Sequence, residues 1–272
     1  MVKLVRLDQE LVDRGLAGTR SFAKALVMAG DVLINGHVAS RPAANVQTAD
    51  VVTLRERPRF VSRGGEKLAH ALTTFDIDVR GTIAADFGAS TGGFTDCLLQ
   101  SGAVRSYAID VGYGVLDQRM RDDPRVTVME RLNVRYLESL PEPVDIVVID
   151  VSFIGLEKIY PAVVNVLRQG GICIPLIKPQ FEAGKSDVGK GGVVRDATVH
   201  RRVLNEAAAF ATIAGFSMIG LTASSLVGPA GNVEFLAHLV RNQCNSPDLQ
   251  KMIEIDMIEA AERVAIKPET ET

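Results

Sequence analysis

The sequence is poor in the residues on which several classes of protein depend. It contains no Trp, aromatic residues make up 5% of it, and three of its 272 residues are Cys. So few aromatics argue against a sheet that stacks nucleic-acid bases on exposed rings. Charged residues or Gly interrupt every apolar run well before the about 18 residues that a membrane span requires. We therefore expect a soluble, cytoplasmic chain with no membrane partner.

The cysteines predict neither a metal site nor a disulfide. Cys97, Cys173 and Cys244 lie far apart in the sequence and are odd in number. No two of them have the short spacing of paired metal ligands, so we expect no bound metal. Two of the three have apolar neighbours, which indicates thiols in a hydrophobic core.

The charge is unevenly distributed, although the net charge is only −3. Residues 1–67 carry eleven Lys and Arg against seven Asp and Glu, a balance of +4, whereas the remainder has a balance of −7. A basic N-terminal part on an acidic body suggests a module that faces nucleic acid. A length of 272 residues with 47% hydrophobic content suits two domains with sizeable cores.

The first part of the chain has the pattern of a small α/β module. Thr19 or Ser21 is positioned to cap a helix that Gly30 ends. Asn35-Gly36 predicts a hairpin because this pair accepts the positive φ angles of a type I′ turn. The predicted elements are helices over 6–13 and 22–29, a hairpin over 32–39 and a strand over 51–54.

The remainder alternates apolar strands with helical stretches, which predicts an open, mostly parallel α/β sheet with helices on both faces. Ser246 and Pro247 are positioned to begin a C-terminal helix. Strands are predicted at 82–87, 104–109, 126–129, 144–149, 172–177, 217–223 and 232–237, with helices near 93–101, 134–139, 156–168 and 197–213.

Pro58 and the Gly64-Gly65 pair lie in a charged stretch that indicates a domain boundary. We expect an N-terminal domain over 1–58, a hinge over 59–66 and a larger domain over 67–272.

A glycine-rich loop follows the first predicted strand of the larger domain and opens a helix. Glycines there let the backbone approach a ligand, and the helix N-terminus offers free N–H groups. The spacing of Gly88, Gly92 and Gly93 does not supply the G-x-G-x-x-G of a dinucleotide site. A methyltransferase loop fits the position and spacing best.

The same loop also satisfies the G-x-S-x-G pattern of a hydrolase nucleophile, with Ser90 at its centre. Hydrolases place this turn after several strands, however, whereas here it follows the first. A hydrolase would also require an Asp and then a His downstream, and only His200 or His238 is available. The hydrolase alternative is therefore disfavoured.

Two later residues are placed to contact an adenosine cofactor. Asp110 ends the second predicted strand, where an acidic side chain can accept both ribose hydroxyls. Asn133 lies just past the third strand and can hydrogen-bond the adenine edge. The predicted cofactor-binding residues are Asp86, Gly88, Ala89, Ser90, Gly92, Gly93, Phe94, Asp110 and Asn133.

Two charged residues lie at the carboxyl ends of neighbouring apolar strands. Asp150 follows the strand over 144–149, and Lys178 closes the next one. Open α/β sheets bind ligands at that edge. A lysine that closes so apolar a strand is costly unless it is paired, and Asp150 is its nearest strand-end neighbour.

The N-terminal pattern of two helices and a hairpin around Asn35-Gly36 resembles the αL RNA-binding module of a small-subunit ribosomal protein, which pseudouridine synthases also contain. The resemblance implies that the helix pair and hairpin present basic side chains to folded RNA. The candidate RNA-binding residues are Arg6, Arg20, Lys24 and Arg41.

The second part of the chain resembles the FtsJ-type 2′-O-methyltransferases, which carry a Lys–Asp–Lys–Glu tetrad at the methyl-transfer site. Onto that tetrad map Lys67, Asp150, Lys178 and Glu234. With the αL module in front, the chain is similar nearly end to end to the TlyA family of rRNA cytidine-2′-O-methyltransferases, also labelled hemolysin A. The motifs are Ser62-Arg-Gly-Gly-Glu-Lys-Leu, the glycine-rich loop and Lys178-Pro-Gln-Phe-Glu; Phe87 stands where the family often has Val.

The TlyA resemblance implies S-adenosylmethionine as the cofactor, a Rossmann-like seven-stranded catalytic domain, and ribosomal RNA or ribosomal subunits as partners. A monomer is the expected state. Our hypothesis is that Lys178 meets the 2′-hydroxyl as base or hydrogen-bond partner, oriented by Asp150. Lys67 is then the neighbouring cation, and Glu234 positions Lys67 or the ribose. A lysine acts as base only if its pKa falls well below about 10.4.

Three alternatives remain beside this hypothesis. Gly184 to Lys190 fits G-x-x-x-x-G-K, but Gly191 stands where a P-loop needs Ser or Thr, so we expect an RNA-gripping lid instead of an ATPase loop. A non-catalytic RNA-binding protein on a degenerate methyltransferase fold is the principal rival. A pore-forming hemolysin would require a membrane-inserting segment.

Overall fold

The structure, a computed structural model, describes residues 4–28, 30–54, 58–228, 230–242 and 248–265. The chain divides into two compact units, Met1–Pro58 and Arg59–Thr272. The elements of the first unit are β1 Leu4–Arg6, α1 Leu7–Asp13, α2 Arg20–Met28, β2 Val32–Ile34, β3 His37–Val38, β4 Asn45–Gln47 and β5 Val52–Leu54.

The first unit packs its two helices over two small sheets. Apolar residues spaced three and four apart on α1 and α2, such as Leu7 and Leu11, meet Val32 of β2 in one buried cluster. β2 pairs antiparallel with β3 and with β5, and Asn35-Gly36 forms the turn with φ angles of 50° and 83°. The helices and the hairpin were predicted, whereas β1 and β4 were not, because strands of three residues are too short to show an alternating pattern.

The second unit contains the larger sheet and its helices. Short 3₁₀ turns also occur at Val134–Tyr136, Leu156–Lys158 and Lys185–Asp187. The regular elements are α3 Gly64–Thr74, β6 Ile83–Phe87, α4 Gly93–Gln100, β7 Arg105–Asp110, α5 Gln118–Asp122, β8 Val126–Glu130, β9 Val144–Ile149, α6 Tyr160–Val166, β10 Leu167–Ile177, α7 Pro179–Glu182, α8 Ala197–Ile213, β11 Phe216–Ala223, β12 Phe235–Arg241 and α9 Leu249–Ala265.

The seven strands of the second unit form one sheet in the order β11-β12-β10-β9-β6-β7-β8. Every pair from β10 to β8 is parallel, and β12 runs antiparallel to both β10 and β11. Buried apolar clusters cover both faces of the sheet. The predicted α/β class with a mostly parallel seven-stranded sheet is therefore confirmed. The strand order reverses between β6 and β9, which is where open α/β sheets bind ligands.

The expected hinge over 59–66 is part of the second unit. Phe60 is 2% exposed in an apolar cluster, and helix α3 already begins at Gly64. Gly65 serves close packing instead of flexibility: a Cβ atom on it would lie 2.3 Å from Cγ of Phe60. The hinge prediction was therefore wrong. It arose because glycines appear in a sequence both where a helix packs closely against a neighbour and where a linker is flexible.

Three other segments differ from the predictions. The helix expected over 134–139 is a single 3₁₀ turn, and the one expected over 156–168 ends at Val166, where β10 begins. The register of β10 on β9 shifts between Leu167 and Ile172. The strand expected over 232–237 begins only at Phe235. Asn232 lies in the preceding turn, where its backbone oxygen accepts the amide of Gly228 and its side chain bonds Gly192 and Val194.

The C-terminal helix α9 forms from Leu249 onward, whereas its predicted start at Ser246 and Pro247 lies outside the described residues, as does Cys244. Cys97 and Cys173 are free and buried. No helix in the described part of the chain combines the length and the apolar character needed to cross a membrane.

Candidate active site

The ends of β6 and β9 meet at Gly88, at the switch point of the sheet. Gly88 has φ +87°, and a Cβ atom on it would lie 2.7 Å from the backbone oxygen of Asp150. Its amide donates to Ile109 O at 2.9 Å, so the turn is fixed between three strands. Only glycine suits this position, because any side chain would collide with the neighbouring strand end.

Two adjoining cavities open at this turn and share Gly88, Ser90 and Asp150. One has a volume of about 470 Å³ and extends toward α3, and the other has a volume of about 530 Å³ and extends along β7. The predicted cofactor residues Asp86, Ala89, Gly93 and Phe94 line the first, and Asp110 and Asn133 line the second. Gly92 lines neither; it begins α4 with φ +93° against Leu116 and Met120.

Asp86 is fully buried beneath the loop and faces the first cavity. The backbone N–H and the hydroxyl of Thr95 both donate to its Oδ2, at 2.9 and 2.7 Å. Its Oδ1 has no hydrogen-bond partner among the residues that the structure describes. Burial raises the pKa of this carboxyl to about 7, and the neighbouring carboxylates Asp150 and Asp110 act in the same direction. An unpaired buried carboxylate oxygen is costly, so a cationic ligand would be favoured here.

Asp110 and Asn133 line the second cavity but also fix its walls. Asp110 accepts the amides of Ser90 and Gly112, at 2.8 and 2.7 Å, which joins the loop after β6 to the loop after β7. The side-chain oxygen of Asn133 accepts a hydrogen bond from the backbone amide of Arg135 at 3.0 Å. Each Asp110 oxygen keeps a lone pair for a ligand hydroxyl, and the Asn133 NH₂ group keeps its donors.

Lys178 and Asp150 form an ion pair at the ends of β10 and β9. Lys178 Nζ lies 2.6 Å from Asp150 Oδ1, 2.8 Å from the backbone oxygen of Val151 and 3.2 Å from the hydroxyl of Ser152. The lysine is 8% exposed, so three acceptors compensate for the burial of its ammonium. The longest contact, to Ser152, is the one that a substrate hydroxyl could most easily replace.

Lys67 of α3 forms a second ion pair with Glu234, just before β12. Lys67 Nζ lies 2.5 Å from Glu234 Oε2, and both side chains are buried. Gln180 of α7 donates to the other oxygen of Glu234 at 3.1 Å. Because Gln180 lies two residues after Lys178, α7 connects the two ion pairs. Lys67 and Asp150 both line the first cavity.

The structure thus brings together all four residues assigned to the tetrad. Ser152 and Gln180 were not predicted, although Gln180 lies within the quoted run from Lys178. Phe153 was also missed: the residue is 90% exposed and has φ +63°, and its ring packs against that of Phe181 with centroids 4.8 Å apart and planes tilted by 48°. Neither its strained backbone nor its exposure has a signal in the sequence.

The disfavoured alternatives find no support in this geometry. The Ser90 amide bonds Asp110, and the ring of His200 bonds the backbone oxygen of Val194, away from the loop. His238 lies within β12 beside Phe75. Among the described residues, no cluster of His, Cys, Asp and Glu could hold a metal ion.

In the first unit, Arg6 and Arg20 converge on Asp8. Their guanidinium groups lie 2.9 and 3.1 Å from its Oδ2, and Asp8 is completely buried whereas both arginines are half exposed. The hydrogen bond from Arg6 lowers the pKa of Asp8 to about 2. Lys24 lies one turn after Arg20, and Arg41 precedes Pro42, whose oxygen accepts the Asp8 amide. Arg6 and Arg20 therefore lie together on the surface of the unit, and Lys24 and Arg41 are exposed as well.

Nucleotide-like cofactors bind at the switch point of doubly wound sheets. This chain offers them a glycine-lined cleft there, so fold and site define an α/β enzyme of the cofactor-dependent class. The profile of the FtsJ-like methyltransferases matches residues 60–241, and that of the S4 domain matches residues 5–52. The chain belongs to the FtsJ-like methyltransferase family, and it is an enzyme with an N-terminal RNA-binding domain.

Individual relatives match nearly end to end. YqxC of Bacillus subtilis is 47% identical over 244 residues, which cover 87% of this chain and 86% of that one. The 16S/23S rRNA (cytidine-2′-O)-methyltransferase TlyA of Mycobacterium tuberculosis is 46% identical over 88% of this chain and 91% of its own. A solved structure from Streptococcus thermophilus, named for a hemolysin, has a TM-score of 0.75 at 40% identity and covers 97% and 98% of the two chains.

Proposed function

We propose that this enzyme transfers a methyl group from S-adenosylmethionine to the ribose 2′-hydroxyl of a cytidine in ribosomal RNA. The observation that carries the proposal is the position of the two lysine–carboxylate pairs, Lys178–Asp150 and Lys67–Glu234, beside the glycine-lined cleft. We take a cytidine of ribosomal RNA as the substrate from the name of the TlyA relative. The exposed arginines of the S4 domain are available for contacts to RNA.

The residues that line the two cavities fit S-adenosylmethionine. The unpaired oxygen of Asp86 suits the ammonium of its amino-acid part. Asp110 has lone pairs for the ribose hydroxyls, and Asn133 has donors for the adenine edge. Because Gly88 has no side chain, the bound ligand can extend from one cavity into the other at this turn. When bound, the cofactor supplies a methyl group on a sulfonium, which is open to attack by an oxygen nucleophile.

The side chains at the strand ends then act on the substrate hydroxyl. With its ammonium deprotonated, Lys178 keeps two donors for Asp150 and Val151, and its lone pair faces the place that the Ser152 hydroxyl occupies. A 2′-hydroxyl at that place gives its proton to Lys178, which makes the oxygen a better nucleophile. Lys67, held by Glu234, places a second positive charge at the first cavity.

The experiment that tests the proposal separates an enzyme from a non-catalytic RNA-binding protein on the same fold. Calorimetry of the full chain with S-adenosylmethionine should show one binding site. Incubation with methyl-labelled cofactor and ribosomal RNA from a strain that lacks the gene should label the RNA. Binding of RNA without binding of the cofactor would instead support the non-catalytic alternative.

Asp86→Asn should weaken cofactor binding by about tenfold to a hundredfold, because a hydrogen bond between charged groups becomes one to a neutral amide. The same change should raise the melting temperature of the free protein at pH 8. The pKa of Asp86 is raised to about 7 by burial, so the unfolded chain releases this proton at a lower pH than the folded one. Stability is therefore lost as the pH rises from about 4 to about 7, and the amide avoids that loss.

Calorimetry and thermal melts at pH 4 and pH 8 check both effects of Asp86→Asn. Asp96→Asn is the matched control, because Asp96 is another buried carboxylate, which accepts the amide of Val61 at 2.8 Å without lining either cavity. Cofactor affinity that stays at the wild-type value in Asp86→Asn would show that Asp86 does not face the ligand.

The RNA affinity of the full chain should depend steeply on salt through Arg6 and Arg20. Each phosphate contact contributes about 0.7–0.9 to the slope of log affinity against log salt. Replacing both arginines by Ala should therefore reduce the slope by about 1.5. Arg80→Ala is the control, because Arg80 is also an exposed arginine paired with an aspartate, Asp78, but lies in the other unit. Binding titrations with ribosomal RNA from 50 to 300 mM salt measure the slopes; equal slopes for the double variant and the wild type would contradict the assignment.

A further inference from the structure

Helix α7 and the segment Asp150–Leu156 lie side by side and touch at three points. At one end, Lys178 Nζ contacts Asp150, Val151 and Ser152. In the middle, the ring of Phe181 packs against that of Phe153 at a tilt of 48°. At the other end, the amide of Leu156 donates to the carboxylate of Glu182, 3.1 Å from Oε1 and 3.4 Å from Oε2. We name residues 150–156 and 178–182 together the clasp.

The clasp secures a segment that has little regular structure of its own. Residues 150–155 belong to no helix or strand, and Phe153 has a positive φ that is strained for an aromatic residue. Such a conformation persists only when its surroundings determine it. The Glu182 side chain passes close to the backbone on this side, since a Cβ atom on Gly155 would lie 3.3 Å from its Oε2.

We infer that Glu182 is a positioning residue: its carboxylate holds the Leu156 amide and so keeps Asp150 and Ser152 where they orient the Lys178 ammonium. The inference rests on the proposed function for the role of Lys178, but the contact itself does not. The proposed methyl transfer makes no direct use of Glu182, yet this residue is half-buried. Its only hydrogen-bond donor among the described residues is the Leu156 amide.

The surroundings of Glu182 make its charge variable near neutral pH. Burial raises its pKa to about 7; Glu157 and Glu206 act in the same direction, and the Leu156 amide and Lys158 oppose them. Arg202 pairs with Glu206, and the buried Tyr160 hydroxyl lies near enough for Glu182 to raise its pKa. An ionised carboxylate accepts a stronger hydrogen bond than a protonated one. The clasp should therefore tighten as the pH rises through about 7.

The test uses the full chain with Glu182→Leu, which removes the acceptor at similar volume, and Glu182→Gln, which keeps an acceptor without titration. Glu254→Gln is the control, because Glu254 is an exposed carboxylate that pairs with Arg201 and is not among the groups that shift the pKa of Glu182. Two quantities are measured: hydrogen exchange of the Leu156 amide, and kcat and KM for methyl transfer to ribosomal RNA from pH 6 to pH 8. Cofactor affinity by calorimetry reports that each variant is folded.

We expect Glu182→Leu to speed Leu156 exchange and to lower kcat at pH 8, each by about tenfold or more, with cofactor affinity unchanged. Glu182→Gln should restore most of the rate at pH 8. The ratio of the wild-type kcat to that of Glu182→Gln should rise several-fold from pH 6 to pH 8, because only the wild type gains charge at this position. For Glu254→Gln the ratio of the wild-type kcat to that of the variant should stay the same from pH 6 to pH 8.

The inference is overturned if Glu182→Leu lowers kcat without changing Leu156 exchange, or if it changes neither. It is also overturned if Glu182→Gln is as slow as Glu182→Leu at pH 8. Should Glu182→Leu fail to fold, the pH dependence of Glu182→Gln decides the matter alone. If Leu156 exchange behaves as expected but the wild type methylates no RNA, the contact stands and the proposed function fails.

Discussion

Lys178→Ala should lower kcat by about a hundredfold to ten-thousandfold, the usual contribution of general-base catalysis. The change removes the group that meets the 2′-hydroxyl, while the glycine-lined cleft keeps its walls. Asp150→Ala should be comparably damaging, since it releases the Lys178 ammonium from its closest partner at 2.6 Å. The double variant should be little worse than either single one, because residues that act as a unit are not additive. Single-turnover methyl transfer to ribosomal RNA measures all three.

Lys178→Arg tests whether Lys178 accepts a proton in the reaction or only supplies a positive charge beside Asp150. Arginine keeps the positive charge beside Asp150 but cannot release its proton at working pH, so this variant should be almost as slow as Lys178→Ala. Arg168→Lys is a matched control at the start of β10, where Arg168 pairs with Asp145 far from the cleft. A stable and active Lys178→Arg enzyme would show that Lys178 only neutralises Asp150.

Gly88→Ala should abolish measurable cofactor binding or weaken it more than tenfold. The new Cβ atom would lie 2.7 Å from Asp150 O at a φ of +87°, so the strand ends must separate and the cleft between the two cavities must change shape. Gly170→Ala is the control, because Gly170 also has a positive φ, +69°, but a Cβ atom on it would have no neighbouring atom within 4 Å. Calorimetry with S-adenosylmethionine and thermal melts compare the two.

Both substitutions place an alanine at a positive φ, so both strain the backbone. Only Gly88→Ala also brings a Cβ atom into collision with Asp150. Loss of stability through that strain should therefore be similar in the two variants, whereas only Gly88→Ala should lose the cofactor. If Gly88→Ala binds the cofactor as tightly as Gly170→Ala does, the ligand does not pass between the two cavities at this turn.

The fold and part of the site follow from local patterns in the sequence. Asp150 and Lys178 could be predicted as neighbours because both close apolar strands, and parallel strands bring their carboxyl ends to one edge. Lys67 and Glu234 had no such signal: Lys67 lies on a helix that the pattern missed, and only the family resemblance singled the two out. Their contact joins residues 167 positions apart, which no local pattern encodes.

The residues that support the site were the least predictable. Ser152, Gln180 and Glu182 act through hydrogen bonds whose geometry depends on how α7 lies against the end of β9. The error at Gly64-Gly65 has the same origin, since close packing of a helix and flexibility of a hinge require the same residue type. Periodicity reports which side of an element is buried, but it does not report what that side touches.

The central claim is that the methyl group goes to a ribose oxygen of cytidine in ribosomal RNA. Ribosomal RNA from a strain that lacks the gene is incubated with the full chain and S-adenosylmethionine and digested to nucleosides. The nucleosides are separated by chromatography and fragmented in a mass spectrometer, where the mass of the base fragment distinguishes a methylated ribose from a methylated base. The account predicts 2′-O-methylcytidine as the new product, and its absence with Lys178→Ala. A cytidine methylated on the base, or a methyl group on another nucleoside, would contradict the account.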